Sequence, residues 1–87
     1  MAMDCYLVAF GSMTHAMRAK RNVSNVCVMP TPKRLPVNGC SYSVETRADT
    51  LKAVLQAAYA NGLDVRGVFR RDRAGDYYEV TNHKGSY

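Results

Sequence analysis

The sequence predicts a small α+β domain, and two observations lead to this class. The chain has 87 residues, of which 47% are hydrophobic and 22% are charged, enough for one hydrophobic core and unlike a disordered chain. Two segments with helical periodicity and capping residues separate four short runs of β-prone residues. The order strand, helix, strand, strand, helix, strand is the split βαβ arrangement of ferredoxin-like domains. We therefore expect one domain over residues 1–80, with an antiparallel sheet and two helices on one face.

The first strand and the first helix come directly after one another. Cys5–Phe10 is a run of apolar, β-prone residues that stops at Gly11, as a buried central strand would. Ser12 or Thr14 caps the helix that follows, in which apolar residues recur at helical spacing as far as Val23.

The middle of the chain predicts a hairpin of two strands joined by a long loop. Val26–Met29 is the second strand, and Pro30 ends it because proline cannot donate to a strand ladder. All three prolines of the chain lie in the segment 30–39, which we predict as a loop. Cys40–Val44 alternates small or polar residues with larger ones, which favours a half-buried third strand.

The second helix is predicted from both of its ends. Thr46–Asp49 matches a capping box, in which a hydroxyl and a carboxylate satisfy the first free backbone donors. At the other end, Asn61 and Gly62 supply a left-handed stop.

The last third of the chain returns to strand patterns. Leu63–Arg70 alternates with period two and places Leu63, Val65 and Phe69 on one inward face. Asp72–Gly75 is a turn, so Asp76–Val80 returns as a fifth strand at the edge of the sheet. We expect residues 81–87 to be a frayed tail.

The net charge is +5 and most of it lies before Glu45. Up to Val44 there are five basic residues and one acidic residue, whereas seven basic and six acidic residues follow. A basic surface of this kind attracts acidic proteins, nucleic acids or small anions. No apolar run reaches the ~20 residues of a membrane helix, and the first residues lack a signal-peptide pattern. We expect a cytoplasmic protein that does not bind membranes.

The three cysteines, Cys5, Cys27 and Cys40, are an odd number and form no C-x-x-C pair. This argues against a disulfide scaffold and against a zinc site. Cys5 and Cys27 lie in apolar strand runs, and we assign both to packing because free cysteine is commonly buried. Neither a metal nor a cofactor is predicted.

Cys40 has the setting of a reactive thiol. In the predicted topology the third strand begins where the first strand ends, so Cys40 should lie beside Ser12 and the start of the first helix. A helix N-terminus favours a thiolate and lowers the pKa expected of a thiol there. His15 lies in the first turn and is a candidate helper, and Lys33 and Arg34 could dock an acidic partner.

Four segments of the chain, in this order and spacing, resemble the Se/S carrier protein-like family. They are Tyr6–Ala19, with the pattern S-x-T-H-A-x-R-A, then Val28–Arg34 with P-x-P-x-R, then Gly39–Cys40, and finally Gly67–Arg70. The family's cysteine falls on Cys40, its histidine on His15 and its loop arginine on Arg34. Members usually place glycine after the cysteine, whereas here Ser41 follows it and Gly39 precedes it.

The resemblance implies a small carrier protein whose cysteine holds sulfur or selenium as a persulfide or perselenide. Its partners would be sulfur- or selenium-transfer proteins, and it would be a carrier rather than a self-contained enzyme. We predict Ser12, Thr14, Gly39 and Ser41 as substrate-binding residues.

Two other functions stay open at this stage. RNA-recognition modules share the ferredoxin-like fold and stack bases on aromatics of the two central strands, where Tyr6, Phe10 and Tyr42 lie. The third strand lacks the basic-glycine-aromatic pattern of such modules, so we rank nucleic-acid binding below carriage. The third function is a ligand-sensing domain without chemistry, or one that forms homo-oligomers through its edge strands.

Overall fold

The computed structural model describes residues 5–35 and 41–80, which form two helices and five strands. In chain order these are β1 (Cys5–Phe10), α1 (Met13–Arg21), β2 (Cys27–Pro30), β3 (Tyr42–Arg47), α2 (Ala48–Ala60), β4 (Val65–Arg71) and β5 (Tyr77–Glu79). The strands pair antiparallel in one sheet of order β2-β3-β1-β4-β5. The predicted α+β class is confirmed. The predicted tail, residues 81–87, lies outside the described residues.

The main core lies between the sheet and the two helices. Its buried residues are Val8, Phe10, Ala16, Ala19, Val26, Val44, Val54, Leu55, Ala58, Leu63 and Val68. Both helices contribute to this cluster, so both pack on the same face of the sheet. Small alanines on α1 and α2 let the helices approach the strands closely.

The opposite face of the sheet, called the open face below, carries a smaller core. Leu7, Ala9 and Phe69 form it together with Leu35, which comes from the loop after β2. Leu35 is buried even though it lies in a segment that the sequence predicted only as a loop. The loop therefore covers part of the open face.

The hairpin of β2 and β3 differs from the prediction at its ends. Pro30 belongs to β2 and pairs with Tyr42, whereas the sequence predicted that Pro30 ends the strand. β2 lies at the edge of the sheet, where a residue without an N–H group is tolerated. β3 begins at Tyr42 and continues to Arg47, beyond the predicted end at Val44.

The start of α2 is one residue later than predicted, because its N-cap is Arg47 rather than Thr46. Thr46 is still part of β3, where it pairs with Tyr6 and is buried. The capping hydroxyl comes instead from Thr50, whose Oγ1 accepts the Arg47 N–H at 3.3 Å. The C-terminal stop is confirmed, since Gly62 has a φ of +63°.

β4 contains an irregularity that the sequence did not predict. Ala9 pairs with Gly67 and Phe10 pairs with Val65, so Arg66 is an extra residue opposite β1. Such a bulge reverses the alternation of inward and outward side chains. Val65 therefore packs toward the helices whereas Phe69 packs on the open face, and the prediction of one common inward face is wrong for Phe69.

Candidate functional site

The end of β1 is held against the segment that connects α2 to β4. The Gly11 N–H donates to the Asp64 carbonyl oxygen at 3.0 Å. A Cβ at position 11 would lie 2.5 Å from Asp64 Oδ2, so a larger residue would displace that carboxylate. The same Oδ2 accepts a hydrogen bond from Arg66 Nε at 2.8 Å. Glycine is therefore required where the chain leaves the sheet and enters α1.

Ser12 is the N-cap of α1, as predicted. Its backbone is extended and its Oγ accepts the N–H of His15 at 3.3 Å. Its carbonyl oxygen accepts the N–H of Ala16 at 3.2 Å. The two remaining N–H groups of the first turn, those of Met13 and Thr14, have no hydrogen-bond partner within the described parts of the chain. They carry the partial positive charge of the helix N-terminus.

His15 connects the first turn of α1 to the segment just before β4. Its Nδ1 accepts the N–H of Asp64 at 3.0 Å. An imidazole that accepts through Nδ1 carries its proton on Nε2, which leaves an N–H donor for a second partner. We call Gly11, Ser12, His15, Asp64 and Arg66 the β1–α1 cluster.

Ser41 lies at the same end of the sheet as this cluster. Phe10 pairs with Tyr42, so the residue before Tyr42 follows at the end of β1 next to Gly11. Ser41 is only 7% exposed, and its Oγ has no hydrogen-bond partner among residues 5–35 and 41–80. A buried hydroxyl without a partner is uncommon in native proteins. Gly39 and Cys40 lie outside the described residues, so their predicted roles stay predictions.

Lys33 and Arg34 lie on a tight turn that crosses the open face. The Leu35 N–H donates to the Pro32 carbonyl oxygen at 3.1 Å, and the buried Leu35 side chain anchors the turn. Lys33 and Arg34 are exposed. The Arg34 guanidinium lies 5.3 Å from the centre of the Tyr77 ring, a cation–π contact that directs it toward β5.

A family model described as Putative Se/S carrier protein-like matches residues 5–70. The chain belongs to this family. The match begins with β1 and ends within β4, so it includes the β1–α1 cluster, Ser41 and the positions of all three cysteines. No curated protein and no solved structure matches the chain. The resemblance noted in the sequence is confirmed, and β5 lies beyond the region that the Se/S carrier family shares.

The two described cysteines differ from their predicted role in packing. Cys27 is exposed and Cys5 is partly buried, and both are free thiols. The apolar run around Cys27 suggested a buried strand, but β2 is an edge strand and Cys27 lies outside both cores. The assignment of Cys27 to packing is wrong.

The aromatic residues of the central strands lie on the helix side of the sheet. Phe10 is fully buried in the main core and Tyr42 packs against it. Tyr6 has the same parity along β1 as Phe10 and therefore points to the same face. An RNA-recognition module needs its aromatics on the open face, where this carrier family member has Leu7, Ala9 and Ser43 instead.

Asp64 and Arg66 are the site residues that sequence reasoning missed. Their pairing had a weak signal, because opposite charges two positions apart on a strand share one face. What the sequence did not reveal is that the bulge at Arg66 brings this ion pair beside Gly11.

The described residues contain no candidate membrane-spanning helix. Neither α1 nor α2 has the length and hydropathy of a bilayer-crossing helix. Within residues 5–35 and 41–80, no three His, Cys, Asp or Glu side chains are grouped so as to hold a metal ion.

Proposed function

We propose that this protein carries sulfur or selenium on Cys40 and transfers it to a partner protein. The observation that supports this function best is membership of the Se/S carrier family across residues 5–70. In the loading step the Cys40 thiolate attacks the outer sulfur of a donor persulfide. A new S–S bond forms on Cys40, the donor S–S bond breaks, and the donor leaves as a thiolate with the electron pair.

The surroundings of Ser41 support a reactive position for the residue before it. Ser41 lies at the end of the sheet where α1 begins, and its buried Oγ has no partner in the described part of the chain. The N–H groups of Met13 and Thr14 lie at the start of α1, at the same end, and would donate to an anion there. A terminal persulfide is anionic, so these donors would stabilise the loaded form more than the neutral thiol. In this proposal Ser12, Thr14, Gly39 and Ser41 form the substrate-binding surroundings.

His15 would assist from the side of the helix. Because its Nδ1 is bonded to the Asp64 N–H, the ring orientation is fixed and its Nε2–H is the donor that remains. Lys33 and Arg34 would form part of the docking surface for an acidic transfer partner. They are exposed on a turn that Leu35 anchors, so they are presented on a defined backbone.

The fold class and the location in the cell belong to the same proposal. The order β2-β3-β1-β4 with both helices on one face supports the ferredoxin-like assignment, with β5 as an added edge strand. A carrier thiol has to stay reduced between transfers, so we place the protein in the cytoplasm. Pairing of two copies through an edge strand stays an expectation.

The test is site-resolved loading of the full chain. The protein is incubated with a persulfide donor, alkylated, and mapped by peptide mass spectrometry. We expect the peptide with Cys40 to gain one sulfur first, and Cys40→Ser to lose this loading. His15→Ala should slow it about tenfold, as expected for one lost hydrogen bond to a charged group.

Cys27→Ser is the matched control, because Cys27 is an exposed thiol of the same chain. In this variant Cys40 should gain sulfur at the wild-type rate. Circular dichroism of each variant shows that the fold is retained. Loading of Cys40→Ser at the wild-type rate, or equal loading of all three cysteines, would contradict the proposed carrier site.

A further inference from the structure

The open face carries two thiols at the end where β1 begins, away from the β1–α1 cluster. Cys5 on β1 is partly buried and Cys27 on β2 is exposed. Both line one surface cavity of about 260 Å³. The other residues that line it are Asn25, Glu45, Thr46 and Arg47. The cavity is large enough for part of a small peptide-like molecule.

The two thiols have cross-strand neighbours of opposite charge. Cys5 pairs directly with Arg47 on β3 and with Arg71 on β4. Cys27 pairs directly with Glu45. Directly opposed side chains of an antiparallel pair lie on the same face, with Cβ atoms about 4.5–5.5 Å apart. The direct cross-strand neighbours of Cys5 are therefore two arginines, whereas the direct neighbour of Cys27 is Glu45, whose carboxylate also reaches Arg71.

Of the two arginines beside Cys5, Arg71 is held in place by further contacts. Arg71 Nη1 lies 3.9 Å from Glu45 Oε2, and this ion pair reaches across β1 from one neighbouring strand to the other. The pKa of the Arg71 guanidinium is raised, first by its hydrogen bond with Tyr77 and to a smaller extent by Cys5 and Glu45. Arg47 has no ion-pair partner within the described parts of the chain, so its charge is free for a ligand.

We propose that Cys5 is a second reactive thiol that forms mixed disulfides with small anionic disulfides, of which oxidised glutathione is the example. The Cys5 thiolate, after losing its proton to solvent, attacks one sulfur of the disulfide. A bond forms between Cys5 Sγ and that sulfur, the original S–S bond breaks, and the other half leaves as a thiolate. Cys5 is oxidised and one glutathione is reduced. Arg47 and Arg71 bind the carboxylates of the attached glutathione.

Cys27 cannot resolve this mixed disulfide within the same molecule. β3 lies between β1 and β2, which separates the two strands by about 9–10 Å. A disulfide needs Cα atoms within about 7 Å of each other. Cys27 therefore leaves the modified Cys5 intact, and an external thiol can remove the group, which makes this position a reversible redox mark.

The test compares three symmetric disulfides on the full chain at the same pH. Oxidised glutathione is anionic, bis(2-hydroxyethyl) disulfide is neutral and cystamine is cationic. Peptide mass spectrometry gives the ratio of modification at Cys5 to modification at Cys27 for each reagent. We expect this ratio to rise about tenfold or more from cystamine to oxidised glutathione, since two nearby charges each contribute up to about 1 kcal/mol. Using a ratio removes the difference in exposure between the two thiols.

A variant with Arg47→Gln and Arg71→Gln should lose the rise in the ratio and keep its reaction with the neutral disulfide. Arg21→Gln, which removes an exposed charge at the end of α1, is the control and should keep the rise. The wild-type series tests the proposal even if the double variant does not fold. A ratio equal for all three reagents, or a charge preference that persists in a folded double variant, would overturn it. Cys40 loading is read from a different peptide, so the two proposals fail independently.

Discussion

Ser41 and Ser43 show how two similar residues can differ in what their hydroxyl groups contact. Both are buried, and they lie two positions apart at the start of the same strand segment. The Ser43 hydroxyl shares a hydrogen bond of 2.7 Å with the Thr31 hydroxyl, which fixes the loop to β3. The Ser41 hydroxyl has no partner among the residues that the structure describes. Ser43 therefore supports the fold through its hydroxyl, whereas no such contact is found for Ser41 in that part of the chain.

This difference predicts opposite effects on stability. Ser43→Ala should lower the free energy of unfolding by about 1 kcal/mol, because it removes the hydrogen bond with the partly buried Thr31 hydroxyl. Ser41→Ala should leave it unchanged or raise it by up to about 1 kcal/mol, because it removes an unpaired buried hydroxyl. Urea denaturation followed by circular dichroism measures both values. A loss for Ser41→Ala as large as that for Ser43→Ala would show that Ser41 has a partner in the folded protein.

At the residue scale the sequence predicted helix caps only in part. Ser12 and Thr14 were the two candidates for the first cap, and the structure selects Ser12, whereas the second cap is Arg47 rather than Thr46. The exposure of Cys27 could not be predicted, because it depends on β2 lying at the edge of the sheet. The contact of His15 with Asp64 joins residues 49 positions apart, and no local pattern indicates such a partner.

At the scale of secondary-structure elements, the β4–β5 hairpin depends on one carboxylate. Asp72 Oδ1 accepts the N–H groups of Ala74 and Asp76 at 2.9 and 3.0 Å, and Oδ2 accepts the Tyr78 hydroxyl at 3.0 Å. Gly75 has a φ of +89°, a conformation that favours glycine. The predicted turn at Asp72–Gly75 therefore forms through the residue types that suggested it.

The hairpin should loosen in acid. The pKa of Asp72 is lowered, first by the Asp76 N–H and then by the Tyr78 hydroxyl and the Ala74 N–H. A carboxyl with a lowered folded pKa contributes stability above its unfolded value, near 3.8, and loses it as the pH falls through the folded value. The expected result is a fall in the protection factors of the Ala74 and Asp76 amides on acidification, measured by NMR hydrogen exchange and corrected for the intrinsic exchange rate at each pH.

Asp72→Asn should make the protection factors of these amides independent of pH over the same range. Asp49→Asn, which changes an exposed carboxylate in the first turn of α2, is the control and should keep the acid dependence. If Asp72→Asn retained the wild-type acid response, another carboxyl group would be responsible for it.

The bulge in β4 shows why element boundaries were harder to predict than element types. The period-two pattern of Leu63–Arg70 indicated a strand, and β4 is present. The pattern does not reveal the extra residue Arg66, which exists only through pairing with β1. Gly67 follows the bulge, and a Cβ there would lie 2.9 Å from the Phe69 ring. This glycine lets the Phe69 side chain lie flat on the open face.

For the whole molecule, the sequence predicted the α+β class because two capped helices and alternating strands are local patterns. The cover on the open face is not local. Leu35 lies in a proline-rich loop, and its neighbours Leu7, Ala9 and Phe69 come together only when the sheet has formed. Strand pairing likewise places Phe10 and Tyr42 on the helix side, so the open face lacks the exposed central aromatics that RNA-recognition modules use. This argues against RNA binding more clearly than the sequence did.

RNA binding by the whole protein is a test that distinguishes a carrier from an RNA-recognition module. The net charge of +5 should give weak binding to single-stranded RNA and to inorganic polyphosphate of equal charge, with similar affinities that fall steeply with salt. Tyr42→Ala should lower thermal stability, because Tyr42 packs against the main core, and should leave RNA affinity unchanged. Fluorescence anisotropy in a salt series and thermal unfolding by circular dichroism give the two readouts. The opposite result would be a strong preference for one RNA sequence over polyphosphate that a folded Tyr42→Ala variant loses. The aromatics would then be acting as a base-stacking surface, and nucleic-acid binding would replace carriage as the better-supported function.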